Sequence, residues 1–239
     1  MDYFDFREIK KNDPRIAEIY RLRYKVYVEE WGFERPEDHP LGIETDAYDL
    51  QAVQIGAFRR ETGAIIGTGR LIPYAEALGF PIQKNMRMDR AIPPELLKTA
   101  CEISRLAVSK EYRRRAGDNL MYSESAFLPT ATAGVESERR DSENDIVLGI
   151  IRKICEYSGR EGFTHWSVGM AKGLYVLLKR RKIVFEPIGP EIDYHGLRRP
   201  YFGRVEEILG GNDELLTIYQ RALALRTCTL PQRELPVAI

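Results

Sequence analysis

Arg23, Asp46, Asp49, Arg70 and Arg105 are charged residues at wide separations, three cations against two anions. Arg23 falls three residues after Tyr20 and four before Tyr27, on a stripe shared with Ile16 and Ile19. A helix over this stretch therefore carries a guanidinium in the middle of its apolar face. Buried without a partner, that charge would cost about 3–5 kcal/mol. Either it meets a carboxylate or a polar cavity, or it snorkels outward along its stem. Glu102 and Ser104 alternate with Ile103 and share one face of a strand, which leaves Arg105 on the other. Both ends of this motif reach one side only if the strand bulges. A carboxylate so placed either moves protons or serves a salt bridge. The three histidines (His39, His165, His195) lie far apart without ligand spacing, so no metal site is expected.

These side chains need elements to position them. Residues 3–9 read as a strand with Tyr3, Asp5, Arg7 and Ile9 on one side, and Asp13-Pro14 reads as a helix start. The segment 31–46, rich in Gly, Pro and acidic residues, is a loop. Segments 50–58 and 64–73 are strands joined by a polar turn. Gly67 and Gly69 share the face opposite Thr68 and Arg70, as expected where something approaches the backbone closely. Residues 74–97 are irregular, with a short helix from Pro93 or Pro94, and 101–108 is the strand carrying Glu102. An insertion of about 118–145 follows, and its charge run 136–141 reads as a solvated loop. Ile146, Val147, Ile150, Ile151 and Ile154 make the stripe of a clear helix that stops before Gly162. Then come strand 163–170, helix 171–181, strands 183–187 and 199–205, and a C-terminal helix of about 212–226. Strands and helices in this order predict one α/β domain, a central mixed twisted sheet flanked by helices.

Composition narrows the function classes. Of 239 residues, 44% are hydrophobic and 30% charged, enough for a sizeable core. Thirty-six basic residues balance 36 acidic ones, which argues against a nucleic-acid binder. Three widely spaced cysteines without a CxxC are expected to be reduced thiols of a cytoplasmic protein. The acidic start at Met1–Asp5 does not resemble a signal peptide, and no stretch has the apolar length of a transmembrane segment.

The element order resembles the GNAT acyltransferase fold. Arg23 and Tyr27, Trp31, Glu44-Thr45-Asp46-Ala47-Tyr48-Asp49, Gly67-Thr68-Gly69-Arg70 and Glu102-Ile103-Ser104-Arg105 occur in the order seen in acyl-homoserine-lactone synthases. Their relatives, the N-acyl amino acid synthases and the PEP-CTERM (exosortase)-associated acyltransferases, share this order. Trp31 lies closer to Arg23 than the matching aromatic of lactone synthases, and the chain is longer. Both features favour the N-acyl amino acid and exosortase-associated branch. The resemblance implies transfer of a fatty acyl group from an acyl carrier protein thioester, or from acyl-CoA, to the amino group of a small acceptor, an amino acid. No tightly bound cofactor is implied. Two other readings stay open: a lactone synthase using S-adenosylmethionine, and a silent GNAT-like module that binds a carrier protein or a lipid.

N-acyl transfer needs a deprotonated amine, a thioester beside it and donors aimed at the developing oxyanion. The resemblance makes Glu102 the base. It makes Arg23, Tyr27, Trp31, Asp46, Asp49, Arg70, Ser104 and Arg105 the acceptor site, with Arg70 or Arg105 holding the acceptor's carboxylate; the alternatives are that the charged cluster is purely architectural and that Trp31 and Tyr27 are plain core. Backbone N–H groups near Leu106 and Val108 would bind the oxyanion. Arg113, Arg114, Arg115 and Gly117 resemble an incomplete phosphate-cradling loop, better suited to a carrier protein than to free CoA. Arg180-Arg181-Lys182 would add to that basic surface or simply face solvent. Tyr175 echoes the tyrosine that protonates the leaving thiol in many GNAT enzymes, and an ordinary packed tyrosine is the other reading. An apolar cleft among Ile103, Trp166, Val168, Leu174 and Leu178 would take the acyl chain.

Overall fold

The computed structural model describes residues 3–112 and 135–229. Arg113, Arg114, Arg115 and Gly117 lie outside the described residues. Seven strands form one sheet: β1 (Phe4–Ile9), β2 (Val53–Arg59), β3 (Ile65–Pro73), β4 (Ala100–Val108), β5 (His165–Met170), β6 (Ile192–Asp193) and β7 (Leu197–Arg204). They lie in the order β1-β2-β3-β4-β5-β7-β6. The first four make an antiparallel meander, β4 and β5 are parallel, and β5–β7 and β7–β6 are antiparallel. Helices α2 (Pro81–Asn85) and α3 (Pro94–Leu97) lie between β3 and β4, and α5 (Lys172–Arg180) follows β5.

Each face of the meander takes one helix. On one side α1 (Ile16–Tyr24) buries Ile19 against Ile9 and Phe58. Past Tyr24 the helix widens into a π-turn over Lys25–Glu30, where the Trp31 N–H reaches back to the Val26 C=O at 3.2 Å. The extra residue per turn lets three consecutive side chains, Val26, Tyr27 and Val28, all be buried. On the other side lies α4 (Val135–Glu161), with Ile146, Ile150 and Ile154 fully buried. A Cβ on Gly67 would come within 2.9 Å of Ile146, and one on Gly69 within 2.9 Å of Ile150. The close approach anticipated at these glycines is therefore the helix itself. A second helix, α7 (Asp213–Thr229), packs along α4, preceded by α6 (Val205–Leu209).

Two expectations are corrected. The charge run 136–141 is helical, because the good helix formers there extend α4 toward its N-terminus. Residues 183–187 form no strand; only Pro187 bridges to Tyr201, since proline offers no N–H for a ladder. The predicted bulge is present: Thr68 pairs with Ala107 but Arg70 with Ser104, so β4 carries one extra residue. Arg105 occupies it in the left-handed region at φ 48°.

Candidate active site

Because directly paired residues share a face, Arg70 and Ser104 point to the α1 side together, as do Ile72 and Glu102. The bulge turns Arg105 to that side as well. Arg23 is fully buried between Glu44 and Asp49: its Nε donates to Glu44 at 2.5 Å, and Nη1 and Nη2 donate to the two Asp49 oxygens at 2.7 and 3.0 Å. Arg70 donates through both terminal nitrogens to Asp46 (2.7 and 3.0 Å), through Nη1 to Asp49 (3.0 Å) and through Nε to Ser104 (3.0 Å). Arg105 donates to Glu44 (2.9 Å), Glu34 (3.3 Å) and Asp46 (3.4 Å). Gln54 closes the cluster on Asp49 at 2.9 Å.

Burial alone would raise the Glu44 carboxyl, but the charges of Arg105 and Arg23 hold it well below the usual carboxylate range. Asp49 is likewise lowered, burial being outweighed by Arg23 and Arg70. Burial would lower Arg23 and Arg105, and their carboxylate partners instead raise both. Among the described residues of this cluster the expected positive surplus is absent. Glu44 and Glu34, which the sequence reasoning did not place in the site, bring the count to four carboxylates against three arginines. Glu44 stands two residues before Asp46 in the charged segment 44–49, the one signal that could have exposed it.

Glu102 is different. It is 2% exposed, and the Ile82 N–H donates to its Oε2 at 3.2 Å. Burial pushes its carboxyl up to about 8, against the opposing pull of the Ile82 N–H and of Arg70 and Arg105. It opens onto a cleft made where β4 and β5 part. Their pairing ends at Ile103–Val168, although both strands continue. Ser104, Arg105 and Leu106 of β4 and Gly169 and Met170 of β5 line the gap, which runs between the two sides of the sheet. On the α1 side its wall holds the polar groups Glu34, Glu102, Arg105, His195 and Arg198 beside the apolar Ile82 and Met86; on the α4 side it is apolar, with Ile103, Ile151, Leu174, Leu178 and Phe185.

Of the expected acceptor residues, Tyr27, Arg70, Ser104 and Arg105 line this cleft. Asp46 and Asp49 stand behind it and hold Arg70, Asp46 also reaching Arg105, while Arg23 fixes Asp49 and Glu44. Trp31 is also outside the lining and stacks on Phe33 at 5.9 Å. The Tyr27 hydroxyl donates to the Leu106 C=O at 3.1 Å, pinning the π-turn to the bulge. Leu106 lines the cleft; Val108 does not, lying deeper in the ladder opposite Gly67. Tyr175 is also outside the lining, stacked on Tyr201 at 5.2 Å. Trp166 faces the core, its Nε1 donating to Ser158 at 2.9 Å, whereas the other four residues expected to hold an acyl chain are in the lining. Tyr194, His195 and Arg198, about 90 residues beyond Glu102, carried no local sequence signal.

Residues 22–123 match the family model of the acetyltransferase (GNAT) domain. The fold is GNAT-like. Among solved structures, its fold is similar to that of TofI in a ternary complex with an inhibitor and MTA, with TM-score 0.63 and 16% identity over 92% of this chain and 99% of that one. BjaI, a CoA-dependent acyl-homoserine lactone synthase solved with SAM and isopentyl-CoA, gives TM-score 0.59 and 17% identity over 92% and 90%. FeeM, an N-acyl amino acid synthase from uncultured soil microbes, gives 0.53 and 13% over 90% and 97%. At these identities the likeness is one of fold. No curated protein matches in sequence. Among the described residues no cluster of metal-ligand type occurs, and no helix is long and apolar enough to cross a membrane.

Proposed function

We propose that this GNAT acyltransferase moves a fatty acyl group from an acyl carrier protein thioester to the amino group of an amino acid. The observation that carries the reading is the placement of Glu102, a buried carboxyl raised to about 8 at the point where a polar chamber meets an apolar one. A general base works best with a pKa near the operating pH. The acyl chain lies among Ile151, Leu174, Leu178 and Phe185, which brings the thioester carbonyl into the gap between the strands. The acceptor's amine approaches from the polar side, its nitrogen attacks the carbonyl carbon, and Glu102 takes one amine proton, directly or through a water. Backbone N–H groups around Leu106 stabilise the oxyanion. Collapse breaks the C–S bond, and the proton held by Glu102 balances the departing thiolate. Arg180, Arg181 and Lys182 are exposed just beyond Leu178 on α5 and would meet the acidic surface of a carrier protein.

The fold shared with TofI and BjaI supports a second reading, a lactone synthase that takes S-adenosylmethionine as acceptor. Mass spectrometry of lipid extracts from a bacterial host expressing the protein, beside a Glu102→Gln control, separates the two. A new N-acyl amino acid that vanishes in the control supports the proposal. A homoserine lactone moves the assignment to the second reading, and no new acyl amide from soluble, folded protein contradicts both.

A further inference from the structure

Among the described residues three arginines line the cleft: Arg70, Arg105 and Arg198. The first two are committed to carboxylates of the protein itself. Arg198 is not. Its Nε and Nη2 donate to the His195 C=O, each at 3.2 Å, and its guanidinium lies 5.7 Å over the Phe33 ring. Among the described residues no carboxylate pairs with it. A guanidinium at the wall of a partly buried polar chamber, with further N–H groups uncommitted, is a receptor for a planar anion.

The local backbone is built to hold it there. His195 adopts a left-handed φ of 54°, a conformation unfavourable for a residue with a Cβ. The turn is fastened by its Nδ1 to the Phe33 C=O at 2.8 Å and by Gly196 N–H to Asp193 at 3.2 Å. His195 Nε2 also stands 3.6 Å from Glu34, the carboxylate shared with Arg105. This strained turn aims the His195 carbonyl at Arg198 and sets the Phe33 ring beneath it. Tyr194 lines the same chamber within electrostatic reach of Arg105, Glu102, Glu34 and Arg198, so base and unpaired cation surround one space.

We infer that Arg198 binds a carboxylate on the acceptor and so selects amino acids over simple amines. The inference rests on the N-acyl transfer reading and replaces Arg70 and Arg105 as carboxylate holder, because their charges are already neutralised. The acceptor would span the chamber with its amine toward Glu102 and its carboxylate on Arg198.

The test uses the purified full chain, an acyl carrier protein thioester, and matched pairs of amino acids and their carboxamides. Wild type is expected to prefer each acid. Arg198→Gln should cut the acid-over-amide ratio of kcat/KM by roughly 10- to 100-fold, the worth of a charge-assisted pair, through the KM of the acid. The KM of the donor should not follow. Arg198→Lys should recover part of the ratio, which separates charge recognition from support of the turn. Equal losses for acid and amide, or a ratio in Arg198→Gln unchanged from wild type, would overturn the inference and leave N-acyl transfer standing. A wild type that acylates no amine would overturn the parent reading and this one with it.

Discussion

At Glu102, burial and function pull in opposite directions: a carboxyl removed from water resists ionisation, yet the reaction needs it ionised. With its value raised from 4.5 to about 8, the native state holds a proton that the unfolded chain gives up. The stability this contributes is fully present below about 4.5 and is lost as pH rises through about 8. Glu102→Gln has no proton to lose. Its melting temperature relative to wild type should therefore climb steadily between those pH values, read by thermal unfolding across a pH series; a flat difference would contradict a buried, proton-bearing Glu102. Truncating Arg23 works the other way. Arg23→Met should destabilise by about 3–5 kcal/mol in denaturant unfolding, because Glu44 and Asp49 would stay buried with one partner fewer. The sequence made Arg23 legible as a charge in need of a partner. Glu44 was hidden because its role depends on the loop 31–46 folding back onto α1, where the Glu44 N–H meets the Tyr20 C=O at 3.1 Å, a contact that no periodicity announces.

The elements follow local pattern where pattern is strong. The alternation in β3 and the isoleucine stripe of α4 predicted two packed faces, and Gly67 and Gly69 marked where the helix comes closest. Even the bulge could be inferred, since Glu102 and Arg105 cannot otherwise face one way. Elements set by tertiary contacts were not legible. The π-turn at Lys25–Glu30 has no signature in residue type, and the turn at 194–198 is fixed by Phe33 and Glu34 from far away in sequence. At this scale Ile150→Ala should cost about 2–5 kcal/mol, because the cavity would open against Gly69 and the sheet cannot close it. Gly69→Val should destabilise by about 1–3 kcal/mol through steric overlap with Ile150, again read by unfolding.

For the molecule as a whole, the two kinds of buried acid bracket a stability window. Glu44 and Asp49 are lowered, so what they contribute is present above the ordinary carboxylate range and is lost as pH falls through their depressed values. Glu102 acts at the other limb. From these groups stability should thus peak near the ordinary carboxylate range, and Glu102→Gln should flatten only the decline between about 4.5 and 8. The buried pairs of Arg23 with Glu44 and Asp49 should respond little to added salt, since buried pairs are weakly screened. The same architecture divides the work of the cleft, with the α1 side supplying charge, the α4 side apolar surface, and the parting of β4 from β5 joining them.

The most direct measurement is the pH dependence of kcat/KM for acyl transfer from a carrier protein thioester to an amino acid of low amine basicity, with wild type and Glu102→Gln side by side. The wild-type rate is expected to rise with pH and level off above about 8, and the variant to be slower by roughly 10²- to 10⁴-fold without that inflection. A Glu102→Gln protein that keeps the wild-type rate and pH profile would contradict Glu102 as the base.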